Sequence, residues 1–343
     1  MVNWSRYSPE VLMQSEATLL GLTQVTYEVK DVPLADGNWI HCVVCGDLQK
    51  PPLVLLHGYC GGGAVFYKLL PSLVQNYCVY LVDLLGMGRS SRPPFYAHSV
   101  EETEQFFVQS IEEFRQAIHL ERFVLIGHSF GGYVAGCYTL AFPECVSHLL
   151  LLSPIGVKEK PPEYTFEKQL IGAGWKVKAF WSALFFLWGR EITPFSVLRK
   201  AGPFSRNVLH IYTRRRLLAL GEVELRTVED YLEQVCLLPG SGEYGLVHIL
   251  EAGAYARKPL SPRLTAVTVP MAFFYGASDW VSPEGALQVS EHTSTPVAIR
   301  VIPDTGHQMC VENPEGLVQA IYSVLANPQE KTVLSPSQIW PGK

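Results

Sequence analysis

The sequence predicts an α/β fold, a mostly parallel central sheet interrupted by an inserted helical cap. Three observations lead there. Short apolar runs recur along the chain, each closed by Gly, Ser or Pro; segments of helical periodicity separate them; and the alternation stops between Gly156 and about Thr265. Runs that do not alternate polar with apolar are what strands buried on both faces look like, and strand–helix alternation makes such strands parallel.

The elements follow in order. After a short leader, "VTYEVKDVPL" and "NWIHCVVCG" flank Asp36-Gly37-Asn38 and read as a β-hairpin. Buried strands are then expected in "LVLLHG" (53–58), "CVYLVDLLG" (78–86), "FVLIGHS" (123–129), "HLLLLSP" (148–154), "MAFFYGA" (271–277) and "VAIRVIPD" (297–304). Between Val100 and Leu120 the residues Phe107, Ile111, Phe114 and Ile118 form one apolar stripe of an amphipathic helix. The stretch without a clear strand holds an aromatic run, a basic cluster and Pro/Gly punctuation such as "LPGSGEYG". It reads as a cap inserted between two strands, giving a core over 1–155, a helical cap over 156–265, and the rest of the core over 266–343 with a C-terminal helix and tail.

Composition agrees with a single core carrying an insertion. The chain has 343 residues, 48% of them hydrophobic and 17% charged, enough to bury a large core. Only the segment "KTVLSPSQIWPGK" at the end has the composition of a disordered tail. Eight irregularly spaced cysteines without a signal-peptide pattern suit free thiols in a reducing compartment, and Cys42 and Cys45, three apart in a strand, point to opposite faces. No second Cys pair completes a zinc site, and no metal or other cofactor is expected. Net charge is −5, yet between Lys168 and Arg216 ten basic residues stand against one acid, Glu191, a local balance of +9. Such asymmetry favours anionic surfaces or head groups.

The chemistry concentrates at strand ends. Gly127-His128-Ser129-Phe130-Gly131 closes an apolar run and precedes a helical segment, the context in which G-x-S-x-G makes a sharp turn that exposes a nucleophilic serine. A serine hydroxyl needs a base and an orienting carboxylate. Asp279 in "FFYGASDW" and His307 in "VIPDTGHQ" follow in that order, each just past a strand, where an open α/β sheet gathers its site. Asp304 is a competing acid, and Asp279 has a bland role open to it as the cap of a helix near Pro283. Asp279 is preferred because a carboxylate from the neighbouring strand end orients the ring without a tight local loop. The backbone N–H groups of Phe130 and Tyr59 are the expected oxyanion donors, with Gly61, Gly62 and Gly63 allowing close approach of substrate. "HGYCGGG" lacks the G-K-[ST] ending of a nucleotide loop, and no nucleic acid partner is expected.

"HGYCGGG", "DLLGMGRSSRP" (83–93), "IGHSFGG", "AGPFS", "PGSGEYG" and "GHQMCVENPEG" together resemble the α/β-hydrolase-domain subfamily of lysophospholipases, N-acyl-phospholipid lipases and lysophosphatidic acid acyltransferases. That subfamily includes a lipid-droplet lipase co-activator and a cardiolipin-trimming phospholipase. The resemblance runs from about Trp4 to Ala326. It implies an α/β-hydrolase fold and a phospholipid or lysophospholipid substrate met at an anionic membrane or lipid-droplet surface. The setting it implies is intracellular, cytoplasmic or at a lipid droplet, endoplasmic reticulum or mitochondrion. Protein partners are unspecified. The co-activator branch has Asn where this chain has Ser129, so Ser129 implies an active hydrolase. Many members carry H-x-x-x-x-D, discussed as an acyl-transfer motif; here Glu312 stands at the acid position, and beside the N-cap pattern Asn313-Pro314 it is assigned a structural role.

The expected reaction is release of a fatty acyl group through an acyl-serine. Alternatives are transfer to a lysophospholipid hydroxyl, hydrolysis of small soluble esters, or a weakly catalytic lipid-surface scaffold that regulates another lipase. The run "KVKAFWSALFFLWGR" (176–190) is apolar all round and shorter than the ~20 residues that span a bilayer. Its bland reading is a cap helix buried on the core. The sharper one has Phe180, Trp181, Phe185, Phe186 and Trp188 roofing an acyl channel and touching lipid.

Overall fold

The computed structural model of the protein describes residues 7–165, 170–251 and 255–331, the side chains of Phe180 and Pro203 excepted. Lys168 and the tail beyond residue 331 lie outside these residues. Eight strands, β1 (Tyr27–Pro33), β2 (Trp39–Cys45), β3 (Pro52–Leu56), β4 (Cys78–Val82), β5 (Phe123–His128), β6 (Val146–Leu152), β7 (Met271–Gly276) and β8 (Val297–Ile302), form one sheet. Its order is β1-β2-β4-β3-β5-β6-β7-β8, with β2 antiparallel to both neighbours and every other pair parallel. Every buried run of the sequence is therefore a strand. The hairpin turns at Leu34–Asn38, where Asn38 N–H is held by Asp36 Oδ1 at 3.0 Å and Gly37 has φ +83°.

The α-helices of seven or more residues are α1 (Pro9–Gly21), α2 (Val100–Ala117), α3 (Phe130–Ala141), α4 (Trp175–Trp188), α5 (Pro194–Lys200), α6 (Ser205–Arg216), α7 (Glu222–Leu237), α8 (Glu284–His292) and α9 (Pro314–Ala326). Strand side chains alternate between two cores. Val54 and Leu56 of β3 face α2, α3 and α8, while Leu53 and Leu55 face α1, α7 and α9. Cys42 and Cys45 fall in opposite cores, and all eight cysteines are free. In α2 the Ser99 side chain caps the Glu102 N–H, and Phe107, Ile111 and Phe114 are buried, as the stripe predicts.

The leader is more than a leader. Ser8 caps α1, Pro9 opens it, and Leu12, Leu19 and Leu20 seal it onto the sheet and onto α7. Between β6 and β7, which pair directly through Leu149–Met271 and Leu152–Phe274, lie α4 to α7 and short helical turns. Among the described residues the only β pairing there is the single bridge Leu250–Ala256.

Three arginines of the basic cluster are paired with acids from elsewhere in the chain. Arg199 pairs with Glu243, Arg206 with Asp230 and Glu233, and Arg214 with Glu222 and Glu229. A local +9 in sequence is thus not a +9 surface. The pairing acids lie after Arg216 in the chain, and the fold brings them back.

Candidate active site

The strand ends of β5, β7 and β8 converge. β5 runs into Ser129, whose backbone sits at φ +54°, ψ −114°, a conformation that lifts the side chain out of the strand before α3 begins. Gly127 and Gly131 make the bend: a Cβ on Gly127 would overlap the Gly131 carbonyl, and one on Gly131 the carbonyls of Leu56 and His57. The turn is sterically closed to larger residues.

His307 follows β8 and Asp279 follows β7. His307 Nε2 is 2.9 Å from Ser129 Oγ, and His307 Nδ1 is 3.1 Å from Asp279 Oδ1. The ring therefore pairs with Asp279, the acid at the neighbouring strand end. Asp279 caps no helix; its Oδ1 also accepts the Val281 N–H at 3.0 Å, and the Ser153 hydroxyl donates to Oδ2. Burial alone would push its carboxyl up, but His307, Ser153 and the Val281 amide together hold it below the ordinary carboxylate range. The carboxylate stays charged where an imidazolium would need it.

Surrounding groups fix the loops. His128 Nε2–H donates to the His307 carbonyl at 2.9 Å; burial and the neighbouring His307 bring the His128 pKa down to about 3, so the ring is neutral. His57 Nε2 accepts the Leu84 N–H at 3.1 Å, which leaves Nδ1 to donate to the Gly58 carbonyl at 2.8 Å. Burial pushes its pKa down as well. Asp83 accepts from the Gly63 N–H at 2.5 Å and the Arg89 N–H at 2.7 Å. Gly62 and Gly63 owe their small size to packing against Tyr231, Asp83 and Leu81, and not to approach of a substrate.

The amides of Tyr59 and Phe130 have no hydrogen-bond partner among the described residues. Phe130 opens α3, where the helix leaves its first N–H groups unpaired. Tyr59 is held by its ring, which stacks on Phe195 of α5 at 4.6 Å and meets Phe130 edge-on at 6.5 Å. Glu312 accepts from the Gly306 N–H, one residue before His307. Asn313 caps α9 by accepting from Gly316 N–H at 2.9 Å.

Ser129 and His307 open into a cavity of 820 Å³ whose walls include Tyr59, Trp181, Trp188, Leu250 and Trp280. Of the five aromatic residues singled out in the 176–190 run, Trp181 and Trp188 line this cavity, Phe185 is half-buried and Phe186 is exposed beneath Arg190, while the Phe180 side chain lies outside the described residues. Trp188 is fixed by donating from Nε1 to the Leu250 carbonyl at 3.0 Å.

The sequence reading missed Ser153, His128 as a brace for His307, and the contact between Glu312 and Gly306. Ser153 had a signal, since it too is a polar residue just past a buried strand. Among the described residues one group of metal-type donors exists, Glu16, His41 and Asp83. It is already an ion-pair network: His41 bridges Asp31 at 2.7 Å and Glu16 at 3.2 Å, and Arg89 holds Glu16 at 2.5 Å.

This sheet, elbow and cavity define the class: the chain belongs to the α/β hydrolase fold family, matched over residues 51–314. Among its relatives, a 1-acylglycerol-3-phosphate O-acyltransferase of Arabidopsis thaliana is 32% identical over 343 residues, covering 93% of this chain and 81% of its own. The Homo sapiens 1-acylglycerol-3-phosphate O-acyltransferase ABHD5 is 30% identical over 321 residues, covering 91% and 89%. A (lyso)-N-acylphosphatidylethanolamine lipase of Mus musculus is 30% identical over 324 residues, covering 92% and 91%. The crystal structure of a membrane phospholipase A, a bacterial virulence factor, superposes with a TM-score of 0.67 at 20% identity over 94% of this chain and 92% of that one, a likeness of fold alone. Among the described residues no helix is long and apolar enough to cross a membrane.

Proposed function

We propose that the protein releases a fatty acyl group from a (lyso)phospholipid or N-acyl phospholipid through an acyl-Ser129 intermediate at a membrane surface. The observation that carries this reading is the chain Asp279–His307–Ser129, at 3.1 and 2.9 Å, opening into a cavity walled by Trp181 and Trp188. His307 Nε2 takes the hydroxyl proton as Ser129 Oγ attacks the ester or amide carbonyl. Asp279 stabilises the imidazolium, and the amides of Tyr59 and Phe130 hold the oxyanion. The proton passes to the leaving group, and water resolves the acyl-enzyme by the same route. Residues 156–265 act as the cap that roofs the acyl channel, between core segments 1–155 and 266–343. The apolar face of the cap meets lipid.

The test is mass spectrometry of mixed phospholipid and neutral-lipid vesicles after incubation with wild type and with Ser129→Ala. Acyl release falls by about 10³-fold or more in the variant if Ser129 is the nucleophile. Indistinguishable turnover by the two proteins would sink the enzymatic reading and leave a lipid-surface scaffold.

A second reading is favoured by the names of two relatives, both 1-acylglycerol-3-phosphate O-acyltransferases at 32% and 30% identity. In it a lysophospholipid hydroxyl replaces water at the acyl-serine. Including a lysophospholipid acceptor in the same incubation, with and without acyl-CoA, separates the two: a diacyl product that depends on Ser129 marks transfer. Glu312, engaged with the Gly306 amide, then acts by holding the His307 loop in either reaction.

A further inference from the structure

We infer that Arg215 and Arg216 form the subsite for an anionic phosphate head group within the cavity that holds Ser129; the inference rests on the acyl-hydrolase reading above and names the polar end of its substrate. Both arginines line that cavity together with Ser129 and His307. They are the last two residues of α6, where three consecutive cations have a bland explanation in the negative end of the helix dipole. Arg214 is in addition spoken for by Glu222 and Glu229. Arg215 and Arg216 have no carboxylate partner among the described residues, whereas Arg199 and Arg206, earlier in the same basic stretch, do.

Two exposed arginines without carboxylate partners, both lining one cavity, suit a phosphate, whose oxygens accept several charge-assisted hydrogen bonds at once. The cavity also contains acids, Asp304 and Glu312, but both stand on the segment that carries His307, and the Glu312 carboxylate is engaged by the Gly306 N–H. Opposite charges therefore lie on different elements. An amphiphile with its acyl carbonyl at Ser129 finds apolar walls at Trp181, Trp188 and Leu250, and cations only on the α6 side. The head group is drawn there by charge, and a phosphomonoester, with more charge than a phosphodiester, gains most.

The test uses short-chain substrates below their critical micelle concentration, so that no interface is present. Acyl release is measured from a phosphomonoester, a phosphocholine ester and the uncharged monoacylglycerol with the same acyl chain. For wild type against the Arg215→Ala/Arg216→Ala variant, the ratio of kcat/KM on phosphomonoester to kcat/KM on monoacylglycerol falls about tenfold or more, as expected for loss of charge-assisted contacts. The Arg215→Lys/Arg216→Lys variant, which keeps charge without the planar fork, recovers part of the ratio. An unchanged ratio, or a parallel loss on all three substrates, overturns the inference. So does a loss seen only with vesicles containing anionic lipid, which assigns the arginines to the bilayer. If wild type shows no Ser129-dependent release, the hydrolase reading fails, and the subsite is judged by calorimetric binding to Ser129→Ala with the monomeric phosphomonoester, the monoacylglycerol and inorganic phosphate. Preference for the phosphomonoester that vanishes when both arginines are replaced supports it. Equal binding of the two lipids, or inorganic phosphate binding as tightly as the lipid, overturns it.

Discussion

Asp279 shows at the level of one residue how the site is poised. Buried without partners, its carboxyl would titrate high; held by His307, Ser153 and the Val281 amide it titrates low, and the charge remains available to an imidazolium. Asp279→Asn keeps the shape but removes the charge and favours the wrong tautomer of His307. Turnover of a soluble acyl ester is expected to fall by roughly 10³- to 10⁴-fold with circular dichroism unchanged, as for a triad carboxylate. Ser153→Ala takes away one of several partners and costs less; a Ser153→Ala loss as large as that of Asp279→Asn would contradict this account. Ser129, Asp279 and His307 were legible in sequence because each belongs to a local pattern, an elbow or a polar residue just past a buried strand. The pairings that brace them were not. His128 to the His307 carbonyl, and Ser153 to Asp279, join positions 179 and 126 residues apart, and only the fold brings such pairs together.

At the level of elements, the strands of the parallel sheet announced themselves because burial on both faces leaves no polar positions to blur the run. Helix α1 did not, although Ser8-Pro9 is a clear start signal. Its buried face contains Glu16 beside Leu12, Leu19 and Leu20, so the apolar stripe is broken by a carboxylate that pairs with His41 and Arg89. Helix α6 was hidden for a different reason: its many polar residues mask a second stripe. Phe204, just before it, then Val208, Ile211 and Tyr212 are exposed along one face, while Leu209 and Thr213 face inward. That stripe ends at Arg215 and Arg216, and α4 adds exposed Trp175, Val177 and Phe186. The proposed lipid contact is therefore shared by two helices, where the sequence drew attention to one. Val208→Glu/Ile211→Glu should weaken co-sedimentation with phospholipid vesicles by about tenfold or more, since each apolar side chain transferred from water contributes roughly 1.5–3 kcal/mol. The melting temperature should hardly move, because exposed substitutions usually stay within about 0.5 kcal/mol. Unchanged vesicle binding would remove α6 from the contact.

For the molecule as a whole, two buried histidines of opposite protonation state shape how stability depends on pH. His41 is the charged one. Burial opposes its charge, but hydrogen bonds to Asp31 and Glu16 outweigh that and bring its pKa up to about 9 from an ordinary 6.5. A raised folded-state pKa gives stability that is complete below about 6.5 and is lost as pH rises through 9. His128 is neutral, as is His57, and its folded-state pKa lies near 3 against 6.5. Its contribution is complete above 6.5 and is lost as pH falls toward 3, because the unfolded chain takes up a proton that the native ring refuses. Asp279, its carboxyl held low, adds to the acid-side loss only below the ordinary carboxylate range. The two histidine contributions together make a dome with its top near pH 6.5. They share no hydrogen-bond partner, His41 tying β2 to α1 and His128 bracing the His307 loop, and β4 and β3 lie between their strands, so their effects should add. Chemical denaturation followed from pH 4 to 10 should show His41→Gln flattening the alkaline limb and His128→Gln flattening the limb between pH 6.5 and 4, each leaving the other limb in place. Should either variant leave its own limb as steep as in wild type, the assigned charge of that histidine would be wrong.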